Sequence, residues 1–148
     1  MTRVDFYILQ DVDLSAAWRF ACRLSAKAVG GGHRVHIHAD PAAVAEVDEL
    51  LWHFPQDRFL PHARADERPA TSTAAPIAPL IIGSTPPDEA DGVLINLADH
   101  IPTFFGRFER VAEIVVGANR GEGRDRYKFY RDRGYPLFHH ELDDWEAA

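Results

Sequence analysis

The sequence contains a single cysteine and has no apolar run near the roughly 18 residues that a membrane-spanning helix needs. One cysteine cannot form an internal disulfide, and Cys22 falls within an apolar helical pattern, so we expect a buried thiol in a reducing cytoplasm. The first residues, MTRVDFYILQDVD, reach acidic positions directly after a short apolar run and lack a small-residue cleavage site. No secretory signal is therefore expected. These absences favour a cytoplasmic protein that has no membrane partner.

Basic residues are also in the minority, because the 148 residues carry a formal net charge of −7. Broad, non-specific binding of DNA needs many cations, so this charge argues against it. The balance reverses locally: from Arg120 to Gly134 there are six Arg or Lys residues against three Asp or Glu. Hydrophobic residues at 46% and charged residues at 26% are ordinary for one globular domain, which we expect to span residues 1–148.

Short apolar runs alternate with helical patterns along the chain, and this order predicts an α/β fold with a mostly parallel sheet. The predicted strands are residues 4–9, 34–38, 80–83, 92–97 and 111–116. The predicted helices begin after Asp13, at Pro41, at Pro102 and near Arg120, and the last of them ends the fold. Residues 64–79 are rich in Ala, Pro, Thr and Ser and are predicted to be a flexible loop.

Gly30, Gly31 and Gly32 follow a predicted helix and precede a strand. A phosphate-binding loop needs its glycines in the opposite place, after a strand and before a helix. The three glycines are therefore interpreted as a helix stop, and nucleotide binding is not supported.

His36, His38 and Asp40 form an HxHxD run, which resembles the start of a binuclear metallohydrolase motif. That motif normally continues with a further His, and Pro41 stands in its place here. A small metallohydrolase that uses these three residues remains the alternative function. No GxSxG elbow or paired-carboxylate pattern is present, and this lack of a catalytic signature favours a binding protein without a cofactor.

Residues 52–61 contain an unusual number of large apolar and proline residues without a regular period. Such a segment either covers one end of the core or forms a protein-interaction surface. The sequence leaves both interpretations open.

The basic segment RGEGRDRYKFYRDRGY at 120–135 contains the most specific pattern in the chain. At about 100° per residue, one stripe of a helix would carry Arg124, Tyr127, Lys128 and Arg131. Cations around a phenol ring suit an acidic peptide that carries an apolar group. Single-stranded nucleic acid and a merely solvated basic face are the alternatives.

Four segments in order resemble the chi subunit family of bacterial DNA polymerase III. They are VDFYIL at 4–9, ELLWHFPQDRFLPH at 49–62, DGVLINL at 91–97 and RDRYKFYRDRGYPLFHH at 124–140. The resemblance implies a single three-layer α/β domain, similar to mononucleotide-binding folds but without a phosphate loop. It also implies a non-catalytic accessory subunit of the clamp-loader assembly, which would contact DNA only indirectly.

Members of that family bind the acidic, phenylalanine-terminated tail of single-stranded DNA-binding protein. Matching the motif implies a tail site at Arg124, Tyr127 and Lys128, with Arg120 one turn earlier. Helix geometry adds Arg131, Gly134 and Tyr135 to this site. Acidic Glu122 and Asp125 lie between the cations, and this departure from the pattern would weaken the site.

The family resemblance also implies a second surface, which would contact the psi subunit in an organism that has one. The residues that match this part of the family pattern are Trp52, Phe59, Leu60 and Pro61.

Overall fold

A computed structural model of the chain describes residues 1–53, 60–65, 78–87 and 91–146. Within these residues, seven strands form one sheet, and every neighbouring pair runs parallel. The strands are β1 (Arg3–Leu9), β2 (Val35–His38), β3 (His62–Arg64), β4 (Leu80–Gly83), β5 (Val93–Asn96), β6 (Arg110–Val115) and β7 (Leu137–Leu142). Their order across the sheet is β3-β4-β2-β5-β6-β1-β7. The predicted α/β class with a parallel sheet is confirmed.

In the described part of the chain, three α-helices cover the sheet: α1 (Leu14–Gly30), α2 (Pro41–His53) and α3 (Arg120–Asp132). As predicted, α1 ends in the glycine run, where Gly32 has a positive φ of 88° that glycine adopts without strain. Helix α2 begins at Pro41, whose fixed φ suits a first helical position.

The sheet separates two apolar clusters, which gives the fold three layers. On one face, α1 and α2 pack on side chains that include Ile37, Ile95 and Ile114. On the other face, α3 and the segment before β6 pack on Val4, Phe6 and Val111. Cys22 is fully buried in the first cluster, as expected for a structural thiol, and burial raises its pKa to about 12.

The predicted helix at Pro102 is wrong. Only Phe105–Arg107 form a short 3-10 helix there, flanked by turns. Phe104, Phe105 and Phe108 are all buried in the second cluster. A compact turn places these three rings on the sheet without the length that a helix would need.

The prediction that the basic helix ends the fold is also wrong, because β7 follows α3 and pairs with β1 at the sheet edge. Every residue of β7 is at least partly exposed, so its sequence LFHHEL lacks the apolar run that marked the inner strands. Arg64 belongs to the short strand β3 instead of a loop, whereas residues 66–77 of the predicted loop lie outside the described residues. No α-helix in the described part of the chain is long and apolar enough to cross a membrane.

Candidate functional site

Helix α3 is positioned by the turn that precedes it and by a glycine on its inner side. In the turn, the Asn119 side chain accepts a hydrogen bond from the backbone N–H of Val116 and donates one to the carbonyl of Ile114. Gly123 then faces β6, where an added Cβ would lie 3.0 Å from a methyl group of Val115. The glycine therefore lets the first turns of α3 approach the sheet closely.

The inner side of α3 is fixed by a buried polar cluster around Glu113 of β6. Arg126 donates to the Glu113 carboxylate at 2.8 Å, and the Tyr130 hydroxyl donates to it at 2.8 Å. Asn96 also donates to Glu113, at 3.1 Å. Arg126 donates further to the carbonyl of Asp99, which ties α3 to the loop after β5. Because a buried charge is tolerated only when it is paired, this cluster fixes the rotation of α3 on the sheet.

The ionisation of the cluster follows from its burial. Burial raises the pKa of Glu113, while the Arg126 guanidinium and the donated hydrogen bonds oppose that rise. Burial, together with the neighbouring Glu113 carboxylate, raises the pKa of Tyr130 far above its usual range. Tyr130 therefore remains a neutral donor at any physiological pH.

The outer side of α3 carries cations that the fold does not use. Arg120, Arg124 and Lys128 are exposed, and among the described residues none of the three has an ion pair or a side-chain hydrogen bond. Arg131 is exposed as well, but it contacts the neighbouring Asp132 at 3.3 Å. Such an exposed pair is weak, so Arg131 is only partly neutralised. The predicted stripe is present on the surface.

Tyr127 lies at the border between the two sides of α3. Its half-buried ring meets Phe6 edge-on, with ring centroids 5.4 Å apart, and lies beside His139 of β7 at 5.0 Å. These contacts fix the ring between the cations of α3 and the edge strand. Arg124, Tyr127 and Lys128 lie within about one turn of each other on α3.

Gly134 and Tyr135 follow the end of α3. Gly134 has a φ of 76°, so its backbone conformation alone explains the glycine. Tyr135 packs on Phe105 and Tyr130, at 5.2 and 6.3 Å between ring centroids. Tyr127 and Tyr135 thus have different neighbours, and Tyr135 secures the carboxyl end of α3 on the second cluster.

Comparison with known proteins identifies the family of this chain. The family model described as DNA polymerase III chi subunit, HolC matches residues 1–138. The chain belongs to the DNA polymerase III chi subunit family. Three curated relatives carry the name DNA polymerase III subunit chi. The one from Pseudomonas aeruginosa is 45% identical over 145 residues, which cover 96% of this chain and 98% of the relative.

The relative from Haemophilus influenzae is 33% identical over 135 residues, covering 89% of this chain and 92% of the relative. The relative from Escherichia coli is 32% identical over 145 residues, covering 93% and 96% respectively. The resemblance seen in the sequence is thereby confirmed. Membership of the family supports an accessory role in DNA replication.

In this chi-family protein, the HxHxD run is not arranged as a metal site within the described residues. His36 and His38 are buried on β2, where their rings pack against Phe104 at 6.2 and 5.3 Å between ring centroids. Asp40 is exposed and lies beyond the end of the strand. Among the residues with described positions, no group of three His, Cys, Asp or Glu side chains is placed to hold a metal ion. The metallohydrolase alternative therefore has no geometric support.

The predicted second surface of the chi-family fold is described only in part. Trp52 at the end of α2 is 58% exposed, and its ring contacts His62 at 4.7 Å. Pro61 is exposed, whereas Leu60 is 5% exposed and belongs to the core. Phe59 lies outside the described residues. Among the described members of this group, Trp52 and Pro61 are exposed.

Sequence reasoning missed the cluster of Glu113, Arg126, Tyr130 and Asn96 beneath the basic stripe. Arg126 appeared to be one more cation of the basic segment, although its side chain is only 5% exposed. One signal was available: Glu113 interrupts the apolar strand VAEIVV, and a carboxylate in a buried strand requires a cation from elsewhere in the fold.

Proposed function

We propose that this chi-family protein is a non-catalytic accessory subunit of the clamp-loader assembly that binds the acidic tail of single-stranded DNA-binding protein in the cytoplasm. The observation that carries the proposal is the outer side of α3. There Arg120, Arg124 and Lys128 are exposed and have no acidic partner in the described part of the chain, next to a fixed Tyr127 ring.

Charge complementarity supports this partner. The protein as a whole carries a net charge of −7. Exposed cations that are concentrated on one side of a helix, and that are unpaired among the described residues, are therefore unlike its average surface. Acidic side chains and a terminal carboxylate of a bound tail would pair with these cations, and the attraction would weaken with added salt.

The apolar end of such a tail also has a place to bind. Tyr127 is half-buried beside His139, so its position does not need to be fixed when a ligand binds. A phenylalanine side chain that packs here would bury apolar surface between α3 and β7. Ordering a peptide tail costs conformational entropy, and a preorganised aromatic contact reduces the total cost of binding.

The other proposed residues act around this centre. Arg120 and Arg131 extend the positive surface toward the two ends of α3, with Arg131 the weaker because of Asp132. Gly134 and Tyr135 end the helix and hold its last turn on Phe105. Their contribution is to the shape of the site.

Titration calorimetry with an acidic peptide that ends in phenylalanine tests the proposal. Lys128→Ala and Arg124→Glu should each weaken binding at least about tenfold, since a charge-assisted hydrogen bond contributes about 1.5–3 kcal/mol. Arg107→Glu is the matched control, because Arg107 is exposed on another element, the 3-10 helix, and is not one of the proposed site residues. Unchanged affinity in both α3 variants would remove the hypothesis. A gel shift with single-stranded DNA alone separates this function from direct DNA binding.

We propose further that the surface around Trp52 and Pro61 contacts the psi subunit where that partner exists. A large apolar side chain with 58% of its surface exposed is the observation in favour. Leu60 lies in the core beneath this surface, and Phe59 is included because it matches the family pattern. Trp52→Ala should reduce co-purification of psi and leave peptide binding at α3 intact. Full recovery of psi by this variant would exclude the surface.

A further inference from the structure

A large cleft lies on the sheet face opposite to α3, between α1 and strands β1, β6 and β7. Its volume is about 770 Å³, within the range of ligand-binding sites. Tyr7, Phe20 and Trp145 provide aromatic surface in the cleft, and Arg23, Lys27 and Arg110 are among its cations. Nothing in the function proposed for α3 uses this cleft.

The cations of α1 are regularly spaced along it. Arg19, Arg23 and Lys27 stand four residues apart, so they lie on one side of the helix, and α1 contains no acidic residue. Across the cleft, Asp5 is already satisfied, because it accepts hydrogen bonds from Arg3 and Arg110 and contacts His140 at 2.9 Å. Arg110 uses one N–H for this bond and has further donors to offer. Arginine and lysine side chains therefore outnumber carboxylates in the lining of the cleft.

The protein's own residues 143–146 occupy one end of this row of cations. Glu146 accepts two hydrogen bonds from the Arg19 guanidinium, both at 3.0 Å. The Trp145 ring meets Phe20 edge-on at 5.2 Å, and the Arg23 guanidinium lies 5.8 Å from the indole centroid. The third cation, Lys27, is exposed and has no ion pair among residues with described positions.

The contacts of this segment are those of an acidic peptide bound through an aromatic side chain. The indole N–H of Trp145 donates to the Asp11 carboxylate at 2.9 Å, which fixes the ring at the end of the cleft. Asp144, just before it, has a φ of 47°, a left-handed conformation that a non-glycine residue rarely adopts. The contacts of Trp145 and Glu146 therefore stabilise a backbone conformation that is unfavourable by itself.

We propose that the cleft along α1 is a second peptide-binding site, which takes an acidic peptide with an aromatic side chain in place of the protein's own residues 143–146. The aromatic side chain replaces Trp145 on Phe20 and Arg23, and the peptide's carboxylates pair with Arg19, Lys27 and Arg110. The docked carboxyl-terminal segment competes with the incoming peptide. The site is independent of the one proposed on α3.

The test uses the full-length chain carrying Lys128→Glu, which removes the α3 site from the measurement. The probe is a fluorescein-labelled peptide with the sequence Glu-Leu-Asp-Asp-Trp-Glu, and its binding is followed by fluorescence anisotropy. The double substitution Trp145→Ala and Glu146→Gln releases the docked segment and should increase affinity at least tenfold. Adding Lys27→Glu should abolish that increase, and this change breaks no ion pair or side-chain hydrogen bond among the described residues.

Asp11→Ala provides a second way to release Trp145 and should raise the affinity in the same direction. Asp11→Ala replaces the double variant as the test if the double variant does not show a native melting transition.

Two results would overturn the proposal. One is equal peptide affinity in the proteins with and without the substitutions that release residues 143–146, and the other is an increase in affinity that persists with Lys27→Glu. If dTMP displaced the labelled peptide at a lower concentration than the unlabelled peptide does, the cleft would be assigned to nucleotides. That result would also overturn the proposal. The protein with Lys27→Glu as its only substitution should bind a phenylalanine-terminated peptide at α3 with normal affinity. The two proposed sites can therefore be disproved independently of each other.

Discussion

Arg124 and Arg126 stand two residues apart on α3, and their guanidinium groups lie in opposite environments. The Arg126 side chain is 5% exposed and pairs with Glu113 at 2.8 Å, whereas Arg124 is exposed and has no ion pair among the described residues. The same residue type therefore fixes the helix on one side and is open to a partner on the other. The difference shows that the local density of positive charge does not measure a binding surface, because part of that charge belongs to the fold.

The largest loss of stability is expected from removing the buried partner of Arg126. Glu113→Ala leaves Arg126 buried without its carboxylate and should lower the free energy of unfolding by about 3–5 kcal/mol. Arg124→Ala is the matched change on the exposed side and should cost less than about 0.5 kcal/mol. Urea denaturation of both variants measures the contrast. Similar losses of stability in the two variants would mean that the two sides of α3 are not distinct.

A smaller loss of stability is expected at acid pH, because acid protonates another buried group on the same face of the sheet. Burial lowers the pKa of His36 from 6.5 to about 4, so the folded protein binds this proton less readily than the unfolded chain does. The contribution of neutral His36 to the free energy of unfolding is therefore complete above about pH 6.5, and it is lost as the pH falls toward 4. The loss should reach about 3 kcal/mol, at roughly 1.36 kcal/mol per pKa unit.

His36→Leu provides the control for this pH dependence. Between pH 6.5 and 4 its free energy of unfolding should change less steeply than that of the unsubstituted protein. Equal slopes for the two proteins in urea denaturation would show that His36 does not carry the effect. Variants on the outer side of α3 should keep the original slope, which separates the buried layer from the exposed one.

The elements that the sequence predicted share a strong periodic signal. Strands β1, β4, β5 and β6 are mainly apolar runs, and β2 (VHIH) is buried throughout, because inner strands of a parallel sheet are buried on both faces. The edge strands β3 and β7 were missed because partial exposure removes that run. The aromatic segment from Pro102 was misread as a helix because three buried phenylalanines satisfy a helical spacing as well as a compact turn does.

The candidate site was predictable to the extent that it depends on a single helix. The positions of Arg124, Lys128 and Arg131 on the outer side of α3 follow from helical geometry alone. The burial of Arg126 depends on Glu113, thirteen positions earlier on another element, and on Asn96 of a third. Tyr135 was placed with the stripe by spacing, but its ring follows the turn at Gly134 and packs on Phe105. The periodic pattern of one helix or strand does not predict its contacts with other elements.

The most direct test of the outer side of α3 is an NMR titration of the isotopically labelled protein with an acidic peptide that ends in phenylalanine. The largest chemical-shift changes should fall on residues 124–131 and on His139. Lys128→Glu should abolish these changes and leave the spectrum of the β6 residues around Glu113 unperturbed. Shift changes that are confined to other surfaces, or that survive in Lys128→Glu, would contradict the proposal that the exposed cations of α3 bind the partner.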